Sequence, residues 1–187
     1  MNKRRKLVIA LGAAALAAPL ASFAQQQGKV WRVGILSQSD RPDPSSPNPS
    51  SAFLAGMRDL GYVEGKNLVI EWRSAEGKSA RLQDLANELV NLKVEVIVAG
   101  GTPATGAAQK ATAAIPIVMV NTGDPVGSGF VKSLAHPGGN ITGLSSISGD
   151  ISAKHLEMLN SMVPKLSHVT VLVNPANSSH AIVLNNI

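Results

Sequence analysis

Apolar residues follow two rhythms along this chain. Short runs rich in valine, isoleucine and leucine recur at 30–36, 68–73, 94–99, 117–120 and 141–144. Such runs, apolar on consecutive positions, read as strands covered on both faces, as in a parallel sheet. Between them the apolar positions change to helical spacing. Phe53, Leu54, Met57 and Leu60 share one face, and Gly61 suits the C-terminal cap. Leu82, Leu85, Ala86, Leu89 and Val90 fall at i, i+3, i+4, i+7 and i+8, with Ser79 placed to cap that helix. Thr102-Pro103 reads as an N-cap followed by proline at the first helical position, opening an alanine-rich helix to about Ala113. A short helix is expected over 128–134, before His136-Pro137-Gly138-Gly139. Strands alternating with helices predict right-handed βαβ units, hence an α/β fold with a parallel sheet.

Two stretches depart from that rhythm. Residues 37–51 contain Pro42, Pro44, Pro47 and Pro49 and read as loop. That is long for a βα connection, which usually takes ~2–6 residues. After the polar stretch 145–152, the pattern restarts with a helix over 154–163, stopped by Pro164, then a strand at 169–173, Asn174-Pro175 and a helix over 178–186. A lone βα unit has no sheet neighbours, so its strand should be poorly held and its apolar residues partly exposed. The domain reading is an export signal at 1–24, a first α/β lobe at 25–148 and the start of a second, incomplete lobe at 149–187.

Charge supports the first of these divisions. Lys3, Arg4, Arg5 and Lys6 supply four of the 17 basic residues, and the remaining 13 face 12 acidic ones. The body is therefore close to neutral despite a pI near 9.8. With no basic stripe and only 3% aromatic residues, a nucleic-acid partner is not expected. Residues 2–6 form a charged n-region, 7–20 an apolar h-region, and Ser22-Phe23-Ala24 ends in small residues, so cleavage is expected after Ala24. The apolar run is shorter than the ~20 residues a spanning helix needs. A general secretory signal fits best; Arg4-Arg5 also resembles a twin-arginine signal, with flanking lysines against it. The chain contains no cysteine, so no lipid anchor, disulfide framework or thiolate metal site is expected. The mature protein should be periplasmic.

Polar loops at the carboxyl ends of parallel strands are where open α/β sheets bind ligands. Ser37, Gly101, Thr102, Asn121 and Asp124 all follow strand ends and form the candidate small-molecule site. Backbone N–H groups at the helix begun by Gly101-Thr102-Pro103 favour a carboxylate, while Thr102 could serve only as a cap. Asp124 suits an ammonium group, or caps the turn begun by Pro125. Asn121 and Thr122 could bond a ligand or satisfy their own loop. Ser37 has no Gly-x-Ser-x-Gly elbow, so no nucleophile is proposed. Gly77-Lys78-Ser79 resembles the tail of a phosphate loop, but the first glycine is replaced by Trp72. No dinucleotide fingerprint follows the first strand, and His136, His155, His168 and His180 lack metal-ligand spacing. No catalytic residue, metal or cofactor is expected.

Leu60-Gly61-Tyr62-Val63-Glu64-Gly65, Ala75-Glu76-Gly77, Gly101-Thr102-Pro103-Ala104, Ile115-Pro116-Ile117-Val118, Gly123-Asp124-Pro125-Val126, Pro137-Gly138-Gly139-Asn140-Ile141-Thr142-Gly143-Leu144 and Asn174-Pro175 appear in an order that resembles ABC-transporter substrate-binding proteins. Some members, tryptophan-binding-protein-like, take aromatic amino acids. The resemblance implies a two-lobed, type I periplasmic-binding-protein fold extending beyond this chain. It also implies a monomer that delivers a small molecule, an amino acid with aromatic ones favoured, to a membrane permease. Two other classes compete: an effector-binding domain of a regulator or sensor, which would carry a helix-turn-helix where this chain has a signal, and an exported α/β enzyme, which needs a reactive constellation.

Overall fold

The computed structural model describes residues 29–43, 48–146, 149 and 151–185. The segment read as an export signal, 1–24, lies outside them, as do Pro44 and Pro47. Among the described residues no helix is long and apolar enough to cross a membrane.

The core element is a five-stranded, all-parallel sheet of β1 (Trp31–Ser37), β2 (Leu68–Ser74), β3 (Val96–Gly100), β4 (Ile117–Gly123) and β5 (Ile141–Ser146), in spatial order β2-β1-β3-β4-β5. The helices between strands are α1 (Pro49–Asp59), α2 (Leu82–Asn91) and α3 (Thr102–Ala111). The expected α/β class and parallel sheet are what the chain forms.

Strand periodicity divides the core into two layers. Leu36 of β1, Ile97 and Ala99 of β3, Ile117 and Met119 of β4 and Ile141 of β5 are buried with Leu85, Ala86 and Leu89 of α2 and Ala104, Ala107 and Ala108 of α3. The alternate positions Val33, Ile35, Leu68, Ile70, Val96 and Val98 meet Phe53, Leu54 and Met57 of α1. Small residues set the spacing. A Cβ on Gly34 would lie 2.9 Å from Leu89 Cδ2, so glycine lets α2 settle onto β1.

Several local expectations shift. α1 starts at Pro49, inside the stretch read as loop, because Asn48 forms a capping box with Ser51: Ser51 N–H donates to Asn48 Oδ1 at 2.9 Å and Asn48 N–H to Ser51 Oγ at 3.1 Å. Pro49 then takes the first helical position, where its missing N–H costs nothing. Ser79 does not cap α2; it opens a 3-10 turn, Ser79–Arg81, that feeds into the helix. No helix forms over 128–134. The chain there closes two overlapping turns, with Ser128 N–H on Asp124 O and Phe130 N–H on Pro125 O, and Gly129 at φ 73° ends any helical path.

After β5 the chain forms α4 (Ser152–Met162), which buries none of its residues, and α5 (Ser178–Asn185). The strand expected at 169–173 is absent. Leu172 is 94% exposed, and Val169, Val171 and Val173 are about half exposed. Without a neighbour to take its backbone hydrogen bonds, a β-rich run has no ladder to join.

Candidate functional site

All five strands present their carboxyl ends at one edge of the sheet, and a cleft of about 860 Å³ opens there. This is within the usual range for small-molecule sites, ~300–1,000 Å³. Ser37, Gly101, Thr102, Asn121 and Asp124 all line it.

Backbone conformation explains why these positions converge. Gly101 adopts φ 82°, a region glycine enters without steric cost, so the chain turns from β3 into α3 one residue earlier than expected. Gly101, not Thr102, is therefore the N-cap residue, and Thr102 is the first residue of the helix. Thr102, 4% exposed, uses Oγ1 across the cleft floor instead: it accepts from Gly123 N–H at 3.1 Å and donates to Ser179 Oγ at 3.5 Å. α3 is thereby tied to the end of β4. One turn further on, Thr105 Oγ1 donates to Gly101 O at 2.9 Å and meets Thr122 Oγ1 at 3.0 Å. Thr105 and Thr122 are both fully buried.

β4 runs three residues past its expected end, through a register irregularity between Met119 and Thr122 against β5. That irregularity puts Asn121 at φ 53° and leaves its side chain exposed at the cleft, while Thr122 turns inward. Asp124 has φ 32°, and its Oδ1 accepts from Gly127 N–H at 2.8 Å, capping the turn that follows Pro125. A carboxylate has further lone pairs for a ligand cation beyond that one bond. Ser37 Oγ accepts from Ser39 N–H at 3.2 Å and stabilises the exit of β1.

Residues missed by sequence reasoning fall into two groups. Gln38, Ser39 and Gly77 follow the ends of β1 and β2, and Ser146 is the last residue of β5, so the strand-end rule applied to every strand finds them. Asn177, Ser179, His180, Ile182 and Val183 come from α5 and its approach, where nothing in the sequence announced a place at the cleft. Ser179 is buried, its Oγ against Thr102, and a Cβ on Gly123 would come within 2.8 Å of that oxygen. Glycine at 123 is thus the condition for α5 to lie where it does.

Beside the polar cleft, and sharing Ser37, Pro49, Gly100 and Val120 with it, lies a smaller apolar cavity of about 180 Å³. Trp72 lines it, with the Arg41 guanidinium 4.9 Å from the ring centroid. The Trp72 indole N–H is buried and has no partner among the described residues.

This architecture has relatives. The family described as ABC transporter substrate binding protein matches residues 43–185. A tyrosine-binding protein of Clostridioides difficile is 34% identical over 145 residues, covering 77% of this chain and 41% of its own length. Among solved structures, a conserved domain protein from Vibrio cholerae aligns with TM-score 0.73 and 31% identity, over 84% of this chain and 52% of that one. The ligand-free, open structure of a Clostridium difficile substrate-binding protein with adhesive properties aligns with TM-score 0.59 and 28% identity, over 83% and 52%. An ABC domain in complex with L-Trp from Streptococcus pneumoniae aligns with TM-score 0.53 and 27% identity, over 63% and 39%. The chain thus spans about half the length of these proteins. Its parallel sheet with ligand-sized space at the strand ends is a lobe of the periplasmic-binding-protein fold, and the chain belongs to the ABC transporter substrate-binding protein family.

Proposed function

We propose that this protein is the exported solute-binding component of an ABC transporter, capturing an amino acid, with aromatic ones favoured, for delivery to a membrane permease. It works as a monomer, binding its ligand without transforming it. The observation that carries the reading is the convergence of a helix start and an acidic turn on one cleft. Gly101-Thr102 offers the N-terminal end of α3, whose dipole favours a carboxylate. Asp124 offers negative charge to an ammonium group on the same cleft. An α-amino acid carries both complements. Relatives described as tyrosine-binding and as bound to L-Trp support the aromatic preference. The charged and apolar order of residues 2–24 supports export, and 149–187 is read as the start of a second lobe that would close on the ligand.

Calorimetric titration of this chain, fused to the remainder of a full-length relative, with the natural L-amino acids tests this. Asp124→Asn keeps an oxygen to accept from Gly127 N–H while removing the charge, so it separates turn capping from ligand contact. Asp124→Asn and Asn121→Ala should each weaken binding by about 1.5–3 kcal/mol, the worth of a hydrogen bond to a charged group. Binding unaffected by either substitution would move the site elsewhere.

A further inference from the structure

The apolar cavity beside the cleft is not used by the polar anchors. Its walls include Ile35 of β1, Trp72 of β2, Val98 of β3, Val120 of β4 and Phe53 of α1, with Arg41 at Trp72. It therefore belongs to the sheet itself and draws no residue from beyond position 120. At about 180 Å³ it is slightly larger than the ~150 Å³ apolar cavity that accepts a single benzene ring. It adjoins the cleft through Ser37, Gly100 and Val120 at the ends of β1, β3 and β4, and through Pro49 at the start of α1. A molecule anchored by its charged groups at Gly101-Thr102 and Asp124 would then have an apolar compartment next to it, where a ring would be removed from water.

We propose that this cavity seats the side chain of the captured ligand, and that its size selects a single six-membered ring or a branched aliphatic group over a bicyclic indole. The proposal rests on the amino-acid reading of the cleft and adds the class of side chain and the residues that choose it. Gly100 lines both compartments, and with no side chain of its own it takes up none of the space they share.

The chain contains two tryptophans, Trp31 and Trp72, so its indole N–H groups give two resonances in a proton–nitrogen correlation spectrum. Trp31→Phe assigns them, and Trp31, lying against Tyr62 outside the cavity, is the internal control. Titration with toluene, L-phenylalanine, L-tyrosine, L-leucine and L-tryptophan should move the Trp72 resonance and leave that of Trp31 in place. L-Phenylalanine, L-tyrosine and L-leucine should bind at least several-fold more tightly than L-tryptophan. Val98→Phe, which adds a ring to the wall, should abolish the toluene response; circular dichroism and the unmoved Trp31 signal confirm that the variant is folded. Should Val98→Phe fail to fold, Val98→Ile serves as the milder filling and should reduce the response several-fold. A Trp72 signal indifferent to toluene and L-phenylalanine, or equally responsive in the filled variant, overturns the proposal. So does tighter binding of L-tryptophan. If amino acids move only the backbone signals of Asn121 and Asp124, the cavity assignment fails while the amino-acid reading stands. If toluene moves Trp72 but no amino acid perturbs the cleft, the cavity takes a ring and it is the amino-acid reading, and with it the side-chain proposal, that fails.

Discussion

Thr105 and Thr122 are joined by one hydrogen bond under the cleft, in surroundings that exclude water. Because Thr105 donates to Gly101 O, Thr122 must donate to Thr105, so the hydroxyls form a directed relay from β4 to the start of α3. Thr105→Val strands the Thr122 hydroxyl and should cost about 1–3 kcal/mol. The double replacement Thr105→Val with Thr122→Val removes both partners and should cost less than the sum of the two single changes. Urea unfolding of the four proteins measures that coupling; strict additivity would mean the relay holds nothing. At this scale the sequence was readable only in part. Five cleft residues were found because residue type and strand-end position coincide. Thr102 was read as a cap since Thr-Pro at a helix start has that form; the φ 82° of Gly101, which moves the cap back one residue, depends on a backbone angle that composition does not reveal. Asn121 was read as loop, while its position is fixed by a register irregularity against β5, a partner more than twenty residues away.

Among the elements, β5 pairs with β4 alone at the edge of the sheet, and that pairing includes one very close approach. Gly143 adopts φ 136°, and a Cβ there would collide with the Met119 backbone oxygen. Gly143→Ala should therefore separate β5 from β4 and destabilise the protein by more than ~2 kcal/mol, since both backbone strain and a main-chain clash are introduced. Hydrogen exchange should show protection lost first in Ile141–Ser146, with β1 and β3 retaining theirs; uniform loss would indicate that β5 is integral to the whole sheet. Strands and long helices were legible because burial on both faces leaves an unbroken apolar run, and burial on one leaves a 3.6-residue stripe. The first turn of α1 is hidden in the sequence because proline-rich stretches read as loop, though Asn48 and Ser51 carry the capping box that makes Pro49 a helix start. The helix expected at 128–134 rests on composition alone, and Gly129, at φ 73°, lets the backbone spend those residues on turns.

At the scale of the whole molecule, the chain spans about half the length of its relatives and presents apolar surface in its last quarter, including Met162 at 74% and Leu172 at 94% exposure. If a second lobe closes the cleft, the polar anchors of this chain alone work in high dielectric, where each is weaker. The 187 residues should then bind amino acids at millimolar strength or weaker, and fusion to the remainder of a full-length relative should tighten binding by tenfold or more. Equal affinity of the two in calorimetry would show that this lobe suffices. The strand order has a consequence for how the molecule comes into being. Of the five strands of the sheet β1 is made first, yet it stands inside the sheet with β2 on one side and β3 on the other. Its second partner is not complete until Gly100 has been made. Parallel pairings between distant segments form slowly, since the loop between them must be closed before contact rewards it. The growing chain therefore carries β1 without its second partner until residue 100 has been made, in a form that any escort recognising extended apolar peptide can hold before the fold forms.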